Sequence, residues 1–310
     1  MALELLSPAG SPEALRAAVQ SGCGAVYLGW GAFNARRGAK NFTDEEFAAA
    51  IRYCHVRGVR VFLTLNTLVT DRELPAALDA ARTACRLGVD SVLVQDWGLF
   101  SLLRETLPDL PLHASTQMSL FTSGGANEVY HDGCERVVLA RECSREDIAA
   151  VCRACPAEVE VFGHGALCMC YSGQCAFSAL IGGRSGNRGR CAQPCRLPYQ
   201  LKGDGKLLGK KGEEYILSPK DMCTIEILPE ILEAGVCSLK IEGRMKRPEY
   251  TAGVVRVYRK YLDHYLEYGG DKYRVDPKDY GELQALYNRG GFSRGYYQVH
   301  NGRDMISLTR

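Results

Sequence analysis

The chain has 310 residues, of which 46% are hydrophobic and 24% are charged, so it is long enough to bury a large core. It contains no run of eighteen uncharged apolar residues, and it does not open with a basic leader followed by an apolar run, so we expect a cytoplasmic protein with no membrane partner. Fourteen cysteines in such a chain indicate reduced thiols rather than a disulfide scaffold, and some of them should bind metal or simply pack.

Short β-branched or apolar runs alternate with amphipathic stretches along the chain. The first run leads into a helical pattern in which Ser11 can cap the helix and Pro12 takes its first position. Alternation of this kind predicts parallel strands joined by crossover helices. Eight strands are predicted, at residues 3–9, 25–30, 60–67, 91–96, 112–118, 136–141, 158–165 and 238–244.

Eight strand–helix units predict an α/β protein with a closed (β/α)8 TIM-like barrel over residues 1–270. An open doubly wound sheet is the alternative, but no Gly-x-Gly-x-x-Gly turn follows the first strand. Residues 166–222 form a Cys-rich, basic insertion after the seventh strand. Residues 271–310 are predicted to be a small C-terminal appendix, and we expect them to be the start of a further domain in a longer protein.

The net charge of +2 is unevenly distributed along the chain. Eight basic residues and one acid lie between Arg184 and Lys211, so this stretch carries +7 and the remainder carries −5. A solvated surface loop is the ordinary interpretation of such a run, whereas binding to a phosphate backbone is the functional one. The candidate substrate-binding residues in or near it are Arg184, Arg188, Arg190 and Arg244.

Barrel enzymes carry their reactive groups at the carboxyl ends of the strands. Because alternate residues of a strand share a face, Lys240 and Glu242 are predicted to point into the barrel, as are Glu160, Phe162 and His164. Buried charges are costly unless they are paired, so these groups are candidates for catalysis. A structural Lys240–Glu160 or Lys240–Glu242 ion pair and a packed, hydrogen-bonded histidine are the alternative interpretations.

Other polar side chains fall at the predicted strand ends. Asn66, Gln117 and Arg141 are candidates for substrate binding, although each alone is weak evidence. Asp96 lies at an equivalent position, where an acidic residue often only caps the following helix.

Five cysteines lie in the glycine-rich insertion, where no apolar pattern places them in a core. Four of them have the spacing C-x6-C-x15-C-x3-C, through Cys168, Cys175, Cys191 and Cys195. Four thiolates can bind zinc or an iron–sulfur cluster, and the irregular spacing without paired C-x2-C knuckles favours [4Fe-4S] over zinc. Cys168 or Cys175 acting as a nucleophile with His164 as its base is a third interpretation.

The remaining cysteines are predicted mainly to pack as small hydrophobic side chains. Cys170 and Cys223 are the exceptions, since both lie near the proposed ligands, and the sequence assigns neither of them a role.

The segment "EVFGHGALCMCYSGQCAFSALIGGRSGNRGRCAQPCR", with "LSPAGS", "SPKDMC" and "SLKIEGRMKRPEY", closely resembles peptidase family U32, the collagenase-like proteins. The resemblance runs from Leu5 to about Arg310. It implies a (β/α) barrel with a C-terminal extension, which we expect to continue beyond Arg310 in a longer protein. The family name implies proteolysis, but its RNA branches imply oxygen-independent hydroxylation of a tRNA uridine or a ribosomal RNA cytidine.

The resemblance also implies a [4Fe-4S] cluster on four cysteines, which match Cys168, Cys175, Cys191 and Cys195. The RNA branches imply prephenate as the hydroxyl donor, and Arg141 is the candidate residue for binding such an anion. We therefore expect an enzyme that hydroxylates a pyrimidine in structured RNA, with a U32 peptidase or a structural-zinc RNA-binding or assembly subunit as alternatives. A base to be modified must leave its stack, and Tyr171 or Tyr199 could stack on it.

Overall fold

The computed structural model describes residues 3–38, 40–299 and 302–309. Its strands and helices follow the predicted alternation. In chain order they are β1 Glu4–Ala9, α1 Pro12–Gln20, β2 Ala25–Leu28, α2 Asp44–His55, β3 Arg60–Leu65, α3 Leu74–Leu87, β4 Ser91–Val94, α4 Trp97–Thr106, β5 Leu112–Ala114, α5 Ser123–His131, β6 Arg136–Val138, α6 Arg145–Ala154, β7 Glu158–Gly165, α7 Phe177–Gly182, β8 Leu201–Gly203, β9 Lys206–Leu208, β10 Asp221–Cys223, α8 Leu228–Glu233, β11 Ser238–Ile241, α9 Pro248–Tyr268, α10 Pro277–Leu286 and β12 Phe292–Ser293.

Strands β1 to β7 and β11 form a closed parallel barrel. Each of the first six pairs in parallel with the next, and β11 pairs in parallel with both β7 and β1, which closes the ring. The predicted (β/α)8 barrel is therefore confirmed, and all eight strands lie within their predicted ranges. The polar residues predicted at the strand ends follow the last paired residue of each strand, at the face where barrel enzymes bind their substrates.

Local sequence signals fix where the helices begin. Ser11 accepts a hydrogen bond from the amide of Ala14, and Pro12 occupies the first helical position. Thr43 forms a capping box with Glu46 at the start of α2. Asp96 accepts a hydrogen bond from the amide of Leu99 and so caps α4, which is the structural role that the sequence offered for it. In the described part of the chain, no helix is both long and apolar enough to cross a membrane.

Strand β7 contains a bulge that changes which way its last residues point. Phe162 pairs with Lys240, and His164 pairs with Ile241, so Gly163 is an extra residue in β7. A Cβ atom on Gly163 would lie 2.8 Å from the side chain of Leu239, which is why glycine fits there. Beyond the bulge the alternation is reversed, so that His164 faces outward with Ile241.

The insertion after β7 lies across the mouth of the barrel. The amide of Leu68 donates to the carbonyl of Asn187 (2.9 Å), and the hydroxyl of Ser119 donates to the carbonyl of Ser172 (2.5 Å). Gly173 approaches the barrel so closely that a Cβ atom would lie 2.0 Å from the carbonyl oxygen of Gln117. The antiparallel hairpin β8–β9 projects into solvent, whereas β10 returns to pair antiparallel with β7. The appendix then adds β12 in parallel to β10.

Buried charges of alternating sign run along the inside of the barrel. Arg136 is 1% exposed and forms ion pairs with Glu4 and with Glu160 (Nη1 to Oε2, 3.1 Å). The other carboxylate oxygen of Glu160 binds Nζ of Lys240 at 2.8 Å. Ser238 lies within hydrogen-bonding distance of both Glu4 and Glu160. Burial alone would raise the pKa of Glu160, but Lys240 and Arg136 hold it below its ordinary value, so the carboxylate stays ionised.

Gly173→Ala should loosen the insertion from the barrel mouth. Both Gly173 and Gly183 have positive φ angles, but a Cβ atom at Gly183 meets nothing within 4 Å. We expect Gly183→Ala to cost about 1 kcal/mol from backbone strain alone, and Gly173→Ala to cost about 1–3 kcal/mol more from the clash. Urea unfolding measures both costs, and limited proteolysis should cleave residues 166–222 faster only in Gly173→Ala. Equal effects of the two substitutions would contradict this account of the docking.

Lys240→Met should destabilise the protein by about 3 kcal/mol, because it removes one of the two cations that neutralise the buried Glu160. Glu160→Gln should cost a similar amount, since it leaves Arg136 and Lys240 without the carboxylate between them. The double variant should cost clearly less than the sum of the two. The test is a double-mutant cycle on the free energy of unfolding, and strictly additive effects would show that the two charges are not coupled.

Candidate functional site

Glu242, at the carboxyl end of β11, is surrounded by arginines at the barrel mouth. Its oxygens bind Nη2 of Arg36 at 3.1 Å and Nη2 of Arg141 at 3.0 Å. Arg244 lies beside them, fully buried, and donates to Thr64 Oγ1 (2.9 Å) and to Asn34 Oδ1 (3.2 Å). Burial would raise the pKa of Glu242, but the three arginines lower it to about 2. One carboxylate therefore faces three guanidinium groups, and the mouth keeps an excess of positive charge.

These arginines line a cavity of about 80 Å³ that opens on the barrel axis. Lys240 lies within it, with Nζ 4.5 Å from the centre of the Tyr27 ring, and the guanidinium of Arg141 stacks 4.1 Å from the centre of Phe162. Burial and the nearby Arg36 lower the pKa of Arg244 to about 10, as expected where cations are crowded. The cavity combines flat aromatic walls with several cations, an arrangement that suits a small anion.

Neutral polar side chains complete this cavity. Asn66 accepts a hydrogen bond from the amide of Ala35 and donates to Ser115 Oγ at 3.3 Å. Gln117 donates to the carbonyl of Asn66 at 2.9 Å. Nε of Arg141 is buried and has no hydrogen-bond partner within the described ranges. The structure thus brings together the predicted residues Asn66, Gln117, Arg141, Lys240, Glu242 and Arg244.

The cysteine-rich loop meets this cavity at Cys168. The sulfur of Cys168 lies 3.7 Å from Nη1 of Arg141, and the residue lines the cavity wall. Burial raises the pKa of the Cys195 thiol, and the neighbouring Cys168, Cys191 and Cys175 raise it further while Arg196 opposes them. The other three predicted ligands therefore lie in the neighbourhood of Cys195. In the described part of the chain, no three Cys, His, Asp or Glu side chains are arranged tightly enough to enclose a metal ion.

The two cysteines without a predicted role differ in position. Burial and the neighbouring Cys175 raise the pKa of Cys170, which places Cys170 beside the four-cysteine group. Cys223 is buried on β10 on the outer side of the barrel, 3.8 Å from the hydroxyl of Tyr258. Cys223 therefore packs with α9, away from the other thiols.

His164 does not point into the barrel, so its predicted orientation is wrong. The bulge at Gly163 turns it outward, where Nδ1 lies 3.3 Å from the hydroxyl of Tyr258 and the ring packs against Tyr250 and Phe292. Complete burial lowers its pKa to about 3. Glu160 does point inward, but it lies below Lys240 and does not line the cavity. Neither residue lines the cavity, since Glu160 binds Lys240 from inside the barrel and His164 packs against α9.

The three arginines predicted from the insertion have different environments. Arg188 forms a bidentate ion pair with Glu73 (2.6 and 2.8 Å) and also donates to the carbonyl of Leu68, so it fastens the insertion to the barrel. Arg184 and Arg190 are exposed and linked to each other, since Nε of Arg184 donates to the carbonyl of Arg190. None of the three lines the arginine-rich cavity.

Sequence reasoning missed Arg36 and Tyr27, both of which line the cavity. Tyr27 lies within β2, and Arg36 lies in the loop that follows it, whose sequence "GWGAFNARRGAKNF" carries no familiar motif. A glycine-rich loop with adjacent arginines directly after a barrel strand was the available signal, because such loops build the substrate face of the fold.

The comparisons with known proteins agree with this architecture. The family model of peptidase family U32 matches residues 10–307. The chain is 41% identical over 274 residues to the 23S rRNA 5-hydroxycytidine C2501 synthase of Escherichia coli, covering 88% of this chain and 41% of that protein. It is 38% identical over 267 residues to tRNA hydroxylation protein P1 of Bacillus subtilis, covering 84% of this chain and 63% of that protein.

A third relative is named as a collagenase rather than as an RNA-modifying protein. The chain is 34% identical over 307 residues to a collagenase of Porphyromonas gingivalis, covering 95% of this chain and 73% of that protein. The chain thus spans less than two thirds of the two RNA-modifying relatives and somewhat more of the collagenase. With a family model matched over nearly its whole length and relatives above 30% identity, the chain belongs to peptidase family U32.

Proposed function

We propose that the chain hydroxylates a pyrimidine base in tRNA or ribosomal RNA, without molecular oxygen, using a [4Fe-4S] cluster and an anionic hydroxyl donor. The observation that carries this proposal is the contact between Cys168 and Arg141, which joins the cysteine-rich loop to the arginine-lined cavity. A cluster there would lie directly beside a bound anion. The names of the Escherichia coli and Bacillus subtilis relatives support RNA as the substrate class.

Cys168, Cys175, Cys191 and Cys195 would hold the cluster. Four thiols on one loop segment at the barrel mouth have the chemistry of an iron–sulfur donor set, although the described side chains would have to move closer together to enclose a cluster. When bound, the cluster would supply redox chemistry at the mouth of the cavity. Arg141 would then lie between the thiolates and Glu242, where its positive charge stabilises both. A single zinc ion on the same thiols remains the alternative metal.

Arg36, Arg141 and Arg244 would bind the anionic donor, for which prephenate is our candidate. They outnumber the one carboxylate at the mouth, and Glu242 holds two of them in position through its ion pairs. The dicarboxylate would gain charge-assisted hydrogen bonds, which are strongest to guanidinium groups. Asn66 and Gln117 would orient the rest of the ligand through their amides.

The RNA backbone would lie across the insertion. Arg184, Arg190 and the lysines of the β8–β9 region are exposed, so they are placed to contact phosphates. A base taken out of its stack would enter the mouth from this side. Arg188 is engaged by Glu73 and would act by holding the loop in place.

The peptidase alternative draws support from the collagenase relative. A cysteine peptidase would need Cys168 or Cys175 paired with His164 as its base. His164 instead faces α9 from the outer side of the barrel, with a pKa of about 3, so it cannot take a proton from either thiol near neutral pH. We therefore favour hydroxylation over proteolysis.

Anaerobically purified protein should be brown and contain about four irons per chain, because four thiolates ligate one cluster. Serine substitution of Cys168, Cys175, Cys191 or Cys195 should remove the colour and most of the iron. The matched controls are Cys170→Ser and Cys223→Ser, which should keep both. Iron analysis and the visible spectrum decide between the metals. A colourless protein with one zinc would rule out the cluster.

Deleting the gene should remove one hydroxylated pyrimidine from digests of total RNA, measured by mass spectrometry of nucleosides. The wild-type gene should restore it, whereas Arg141→Ala should restore less than a tenth, since Arg141 contacts both Glu242 and Cys168. Arg57→Ala is the control, because Arg57 is exposed and precedes β3 at the opposite end of the barrel. A host unable to make prephenate should lose the same nucleoside. An unchanged nucleoside profile in the deletion strain would refute RNA hydroxylation.

A further inference from the structure

A second cavity, of about 300 Å³, lies on the other side of Cys168 from the arginine-lined one. Cys168 lines both cavities, so the proposed reaction site and this second space are separated by one residue. The insertion and the appendix build its walls jointly. Its lining is mostly apolar, and consists of Leu167, Cys168, Met169, Pro219, Tyr296, Gly302, Arg303, Met305 and Ile306.

Two arginines lie at the boundary of this outer cavity. Arg196 donates from Nη2 to the carbonyl of Leu167 (2.6 Å) and from Nη1 to that of Pro219, so its guanidinium joins two of the walls. Arg303 lines the cavity with 62% of its side chain exposed, and it is paired with Glu213. The cavity is therefore apolar inside, with one exposed arginine at its boundary.

One tyrosine lines this cavity and a second lies in the neighbouring loop. Tyr296 lines it, and burial raises the pKa of its hydroxyl, with smaller contributions from Glu142, Tyr171 and Cys168. Tyr171 is 60% exposed and packs edge-to-face on Phe121, with the ring centres 5.5 Å apart. Exposed rings beside an apolar cavity with cations at its edge are the usual features of a surface that stacks unpaired bases.

We infer that the outer cavity binds an unpaired RNA base next to the one that is modified. This inference rests on the proposed function. A base that reaches the arginine-lined cavity must be unstacked, so its neighbours in the strand lose their stacking partners as well. The outer cavity adjoins the reaction site at Cys168, it has the size of a small-molecule pocket, and Tyr296 in its wall offers a ring on which a base can stack.

The test uses fluorescein-labelled hexauridylate and the full chain, with affinity measured by fluorescence anisotropy. Tyr296→Ala should weaken binding by about 5- to 150-fold, the loss expected for one stacked base. Tyr296→Phe should bind within about twofold of the wild type, because it keeps the ring. Tyr268→Ala is the matched control, since Tyr268 is also partly exposed but lies at the far end of α9.

A second variant tests the inference independently, in case Tyr296→Ala does not fold. Met169 lines the cavity and is 44% exposed, so Met169→Ser should fold normally and still weaken hexauridylate binding. Unchanged affinity in both variants would overturn the inference. Failure of the wild-type protein to bind hexauridylate would overturn it too. The nucleoside analysis of the deletion strain decides separately whether the proposed function stands.

Discussion

The buried ion pair between Lys240 and Glu160 is the interaction on which the site depends. Glu160 lies between two cations, Arg136 below and Lys240 above, and all three are almost completely removed from water. Charges in such an interior are tolerated only when their partners are complete. The ion pair therefore holds the Lys240 side chain in place at the cavity that it lines, where its charge adds to that of the arginines around Glu242. A barrel filled only with aliphatic side chains would offer no such field at its mouth.

The fold was predictable because each barrel strand is a short apolar run, and every run except β7 is followed by a helix that begins with a capping side chain or a proline. The inward orientation of Lys240, Glu242 and Glu160 followed from simple alternation. Alternation failed at His164, where Gly163 adds a residue to β7 and reverses the faces. Gly163 inside the predicted strand was the available signal, because an isolated glycine in a strand often marks a bulge or the close approach of a neighbour such as Leu239.

The site could be predicted only where its residues lie at strand ends. Arg36 lies on a loop whose path depends on long-range contacts, among them the hydrogen bond from Ala35 to Asn66. Arg188 was a candidate for substrate binding because it lies in a basic run, but it pairs with Glu73, which is 115 residues away in the sequence. Both cases have one cause: the sequence shows an arginine, but it does not show with which acidic residue that arginine pairs in the fold.

Cys168 lines both cavities, so the insertion contributes to the wall of each. The loop around it is fixed by several contacts, in which Ser119 binds Ser172, Gly173 approaches Gln117, and Asn187 donates to Gly173 at 2.7 Å. On the proposed function, a cluster bound to such a loop would be held at a fixed place beside the arginine-lined cavity, whereas the hairpin β8–β9 lies exposed to solvent. Attachment near the barrel and exposure farther out are therefore found in one chain segment, which would fix the reaction geometry and present exposed lysines to the RNA.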